Sequence, residues 1–120
     1  MKSLLIAAGL MAFVAPQQTV PGPGTAQLAA ARAALDERLL DYPSARFREV
    51  RGNNMVLCGN VNAKNRMGAY SGWTRFAVFH SDGSSSVYMD GEGSGTIMVD
   101  GFCGSGVFDG RDYTDQLRHR

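Results

Sequence analysis

The hydrophobic pattern of this chain changes period once, at Pro43, and that change sets what it can fold into. Before it, "AQLAAARAALDERLLDY" places Leu28, Ala31, Leu35, Leu39 and Tyr42 at spacings of three and four, the period of one helix face. Thr25 is the expected N-cap, Arg32 and Asp36 are expected to pair one turn apart, and Pro43 to stop the helix, so the predicted span is 26–41. After it, short apolar runs alternate with glycine-rich turns: "RFREVR", "MVLCGNV", "TRFAVFH", "SVYM" and "TIMVDGF". These read as strands, and Asp82-Gly83 reads as a hairpin turn. The expected fold is α+β: one N-terminal amphipathic helix packed on a four- to five-stranded, mainly antiparallel sheet. The C-terminal "DGRDYTDQLRHR" is expected to fray or to form a last short turn.

The segment ahead of the helix divides in two. Lys2 precedes the apolar run "LLIAAGLMAFV", which is shorter than the roughly 20 residues a bilayer span needs. It reads as a secretory signal peptide ending near Ala15, with "PQQTVPGPGT" behind it as a mobile linker. The expected organisation is therefore signal peptide 1–15, linker 16–24 and one α+β domain 25–120, placing the protein in the periplasm or outside the cell, without a membrane span once the signal is removed. In such a compartment Cys58 and Cys103, the two cysteines of the chain, are expected to form a disulfide.

Charge separates along the chain. Residues 16–75 hold eight Arg/Lys against four Asp/Glu and residues 76–120 hold three against seven, a split of +4 and −4. With a mature net charge of zero, nucleic acid is not an expected partner. The favoured explanation is pairing of basic and acidic strands within one sheet. The sharper one is a basic surface of Arg46, Arg48, Arg51, Lys64, Arg66 and Arg75 facing an anionic partner.

"LCGNVNAKNRMGAYSGW" carries the strongest functional signal. It reads as a loop over 62–73 in which Asn62, Asn65 and Gly68 shape the backbone. Lys64 and the amides of Asn62 and Asn65, beside Tyr70 and Trp73, form a candidate site for an anion or carbohydrate. The leading expectation is non-enzymatic binding of such a ligand, or of an envelope protein, without a cofactor or metal. Two alternatives stand beside it: a small periplasmic hydrolase using His80, next to Ser81, Asp82 and Ser84 to Ser86, and a secreted inhibitor or toxin-related module. "DGEGSGTIMVDG" matches a calcium loop in part but has Gly101 where the bidentate carboxylate belongs.

The run Cys58-Gly59, Val61 to Asn65, Gly68, Tyr70 and Gly72, preceded by "YPSARFREVR", resembles a family of small exported bacterial proteins with the pattern C-G-x-V-N-A-K-N-x-x-G-x-Y-x-G-aromatic. The resemblance covers residues 42–76, with Tyr42 where Asp is usual and Arg66-Met67 and Ala69 where Ser-Phe and Gly are commoner. It implies export and a shared fold, and it transfers no catalytic residue.

Overall fold

The computed structural model describes residues 20–104, 106 and 108–118. The expected signal peptide 1–15 lies outside the described residues. The chain is α+β, with four strands forming one antiparallel sheet in sequential order: β1 (Arg46–Gly52), β2 (Val56–Lys64), β3 (Tyr70–Ser81) and β4 (Ser84–Met89). Asp82 and Gly83 join β3 to β4 with φ of 53° and 79°, the doubly left-handed turn that suits the twist of a two-residue hairpin.

Helices flank the sheet. The first, α1 (Thr25–Arg38), is capped by the backbone of Gly24, with Thr25 already inside it, and Leu39 is extended. It ends three residues short of the expected 41, so Pro43 does not stop it; Pro43 sits instead in a 3-10 turn, Tyr42–Ser44. Leaving the helix early lets Tyr42 donate to the Leu117 carbonyl. Arg32 donates to the Gln116 carbonyl at 2.7 Å in place of the expected pairing with Asp36. Both bonds tie α1 and its exit to α3 (Thr114–Leu117), so the C-terminal segment is anchored, with Tyr113 and Leu117 buried.

One sheet face carries the larger core. Ala31 and Leu35 of α1, with Leu39 just beyond it, and Leu117 of α3 pack on Phe47, Val50, Leu57, Val61, Phe76, Val78 and Met89. Leu28 lies at the margin of this core, half-buried.

The other face carries the main correction. "TIMVDGF" is no fifth strand: Gly95–Gly104 is a helix, α2. Val99, Phe102 and Cys103 follow the three- and four-residue spacing of one helix stripe and pack on Val56, Cys58, Ala77 and Tyr88. Ile97, which strand alternation would bury with Val99, is 73% exposed. The Cys58–Cys103 disulfide fastens α2 to β2, with Cα atoms 6.0 Å apart. Gly95 admits the start of α2 against the sheet, because a Cβ there would collide with the Met89 carbonyl oxygen.

Of the expected linker 16–24, the described part is tethered. Asn54 donates its N–H to the Pro21 carbonyl at 3.0 Å, and Val20, Gly22 and Pro23 line a recess with Asp109 and Tyr113.

Candidate functional site

The stretch expected as a loop over 62–73 is mostly strand. Both strands run on, β2 to Lys64 and β3 from Tyr70, leaving a five-residue turn, 65–69. Asn65 builds that turn: its side-chain oxygen accepts the N–H groups of Met67 and Ala69 at 2.9 and 3.2 Å. Gly68, at φ 81°, makes the left-handed step that a side chain resists. Asn62 is buried, and its side-chain oxygen accepts the Gly72 N–H at 2.9 Å where β3 bulges against β2. Both asparagine oxygens therefore serve the backbone.

The strand pleat puts the remaining predicted residues on the face that α2 covers only in part. Alternate positions of β2 point the same way, so Asn60, Asn62 and Lys64 continue the row begun by Val56 and Cys58. Register places Arg46 and Trp73 on either side of Asn62, Arg48 and Arg75 on either side of Asn60, and Tyr70 beside Lys64. This part of the face is polar, basic and aromatic.

Cations from β1 reach across β2 to the rings of β3. The Arg46 guanidinium lies 4.0 Å from the centre of the Tyr70 ring, and that of Arg48 4.0 Å from the centre of Trp73. Lys64 Nζ approaches the Tyr70 ring at 5.6 Å. The Tyr70 hydroxyl is held by donation to the Ser44 carbonyl at 2.9 Å. Contacts of this kind at exposed sites are worth about 0.5–1 kcal/mol each and fix the plane of a guanidinium while leaving N–H groups at its edge.

Acidic partners are distributed unevenly. Arg75 is held by Asp90 through two bonds of 2.6 and 2.9 Å and by Asp100 of α2 at 2.9 Å. The hydrogen bond from Arg75 holds the Asp90 carboxyl below the usual carboxylate range. Glu92 pairs with Arg38. Basic and acidic halves of the chain do meet at these points. Arg46, Arg48, Lys64 and Arg66, by contrast, form no ion pair among the described residues.

Beside the disulfide, where α2 ends, a cleft of about 310 Å³ is lined by Glu49, Arg51, Asn60, Arg75 and Phe108 among others. It marks the boundary between the covered and open parts of the face.

His80 lies elsewhere, on β3 opposite Ser85 of β4, with Nδ1 and Ser85 Oγ 3.0 Å apart. No carboxylate bonds to His80 among the described residues. Asp90 and Asp100 of the partial calcium motif both serve Arg75, and residues 95–101 of that motif belong to α2. No helix among the described residues is long and apolar enough to cross a membrane.

Comparison with known protein families, curated proteins and solved structures finds no match.

The sequence alone points to Lys64, Tyr70 and Trp73, whereas Arg46 and Arg48 stand in it as members of a broader basic set. Their role depends on strand register. The signal available was their i, i+2 spacing in "RFR", which puts both on one face of a strand with Phe47 on the other.

Proposed function

We propose that this is an exported, non-enzymatic binding protein whose ligand is anionic, held on the open part of the sheet face by Arg46, Arg48 and Lys64 beside Tyr70 and Trp73. The observation that carries this reading is the pair of guanidiniums laid on those two rings without an acidic partner among the described residues. Like charges gathered on one surface repel, and a bound anion relieves that repulsion while accepting the free guanidinium edges. The two arginines stand two residues apart on one strand face, roughly 7 Å along it. That spacing suits a ligand with two anionic groups, or a chain of them. A neutral sugar fits less well, because a guanidinium already occupies a face of each ring. Asn62 and Asn65 set the backbone on which the cations stand.

Export to the periplasm or beyond belongs to the same reading. It is supported by the N-terminal apolar run, by the Cys58–Cys103 disulfide and by the motif resemblance.

Trp73 is the chain's single tryptophan, so its fluorescence reports on this surface. Titration with inorganic pyrophosphate is expected to change Trp73 emission saturably. Arg48→Gln is expected to abolish the change, and a neutral disaccharide to produce none. Pyrophosphate without effect, or an equal response from the Arg48→Gln protein, contradicts the proposal.

A further inference from the structure

Two exposed apolar side chains stand at the same end of the sheet as Arg46, Lys64 and Arg66. Met67, in the turn between β2 and β3, is 89% exposed, and Leu40, between α1 and β1, is 65% exposed. Leu40 lines a recess of about 410 Å³ together with Lys64, Asn65 and Arg66, and Met67 follows Arg66 directly. The bond from the Tyr70 hydroxyl to the Ser44 carbonyl holds the segment after Leu40 against the hairpin. The turn geometry needs the Asn65 side chain and the freedom of Gly68, and it makes no demand for a methionine between them. A soluble anion makes no use of Met67 or Leu40 either.

We infer that this end of the molecule docks on an anionic lipid surface. Met67 and Leu40 enter the boundary between headgroups and acyl chains. Trp73, 40% exposed, lies with Tyr70 at headgroup depth, where amphipathic rings are favoured, and Arg46, Arg48, Lys64 and Arg66 meet lipid phosphates. This rests on the anion-binding reading above and adds the source of the anion. Charge complementarity and the apolar tip together favour a lipid surface: the cations alone suit any polyanion, whereas large apolar side chains interleaved with cations suit an interface that is charged outside and apolar beneath. Of the acids near this end, Glu92 is engaged by Arg38 and Asp90 by Arg75, while Asp41 adjoins Leu40. Each cation close to such a surface strengthens binding roughly fivefold, so four give an attachment that is salt-sensitive and reversible.

The test uses the full chain. Vesicles of equal parts phosphatidylglycerol and phosphatidylcholine are compared with phosphatidylcholine alone in about 0.1 M salt, with sedimentation and Trp73 emission as readouts. Binding to the anionic vesicles with a blue shift of Trp73 is expected. The shift reads the hairpin end itself, independently of any attachment through the N-terminal apolar run. In the Arg46→Gln, Arg48→Gln double variant, partitioning is expected to fall on the order of 10-fold or more. Met67→Ser is expected to weaken it several-fold while melting like the parent, since that side chain is exposed. An unshifted Trp73 on anionic vesicles, equal binding to neutral vesicles, or Met67→Ser binding like the parent each overturns the inference. If Trp73 responds to pyrophosphate but not to vesicles, the lipid inference falls and the anion-binding proposal stands; if it responds to neither, both fall.

Discussion

The two ends of one sheet face were built to different ends from the same strands. Along β2 the outward positions run Val56, Cys58, Asn60, Asn62, Lys64; the first two are buried under α2 and the later ones leave its cover. In the covered half, apolar contacts and a disulfide fasten a glycine-containing helix to the sheet. In the open half, cations lie on aromatic rings and asparagine oxygens bond backbone groups. Arg75 stands at the border, with Asp100 of α2 on one side and Asp90 on the other. Burial and covalent closure hold the covered half. The open half has no such need, because its amides are already paired in the strand ladders, Asn65 secures the turn and Asn62 the bulge. Its charged side chains are therefore free to act on something else.

This division is open to attack in descending order of effect. The Cys58→Ser, Cys103→Ser double variant removes the staple across a separation of 45 residues and is expected to cost about 4 kcal/mol in the chain-entropy treatment, measured by denaturant unfolding. A loss below about 1 kcal/mol means that α2 is held by its apolar contacts alone. Leu35→Ala on the opposite face is expected to cost roughly 2–5 kcal/mol, because Leu35 is fully buried and leaves a cavity. Within the open half, Asn62→Ala leaves the Gly72 N–H without its acceptor and is expected to cost on the order of 1–3 kcal/mol. Lys64→Ala and Arg48→Gln are expected to change stability by less than about 1 kcal/mol, since each gives up one exposed cation–π contact. Should Lys64→Ala destabilise as much as Asn62→Ala, the separation between scaffold and presented charge is wrong.

The border residue adds a pH test. Asp90 has a folded pKa depressed chiefly by the hydrogen bond from Arg75, so its contribution is fully present above the ordinary carboxylate pKa near 4 and is lost as pH falls through the lower folded value. Arg75→Gln is expected to lower stability at neutral pH and to flatten the acid limb of the melting curve below about pH 4. An unchanged acid limb shows that other carboxylates set it.

How far the sequence revealed this arrangement differed between the halves. Pairing of β3 with β4 was legible because Asp82-Gly83 is local turn chemistry. The cysteine pair was legible from count and setting. The helix α2 was not: Ile97 and Val99 alternate like a strand, and Gly95, Gly101 and Gly104 lower helix propensity, so tertiary anchoring through Val99, Phe102 and Cys103 overrides the local preference. The extension of β2 to Lys64 was hidden by residues with little strand preference, although Val61 and Ala63 keep the inward alternation. At the site, the rings and Lys64 could be picked out of one continuous segment. Arg46 and Arg48 could not be matched to them without the register that sets β1 beside β2, which is long-range information. Amide chemistry alone allows Asn62 and Asn65 either to shape the backbone or to meet a ligand; in the structure both oxygens accept backbone N–H groups.

The most direct test compares both halves in one experiment: nuclear magnetic resonance of the isotope-labelled protein, following backbone amides and arginine side chains while inorganic pyrophosphate is added. Saturable shifts are expected at Arg46, Arg48, Lys64, Tyr70 and Trp73, with Val56, Cys58, Ala77 and Val99 unmoved. Shifts centred on α2 and the disulfide, or no saturable shift anywhere, contradict the assignment of binding to the open half of the face.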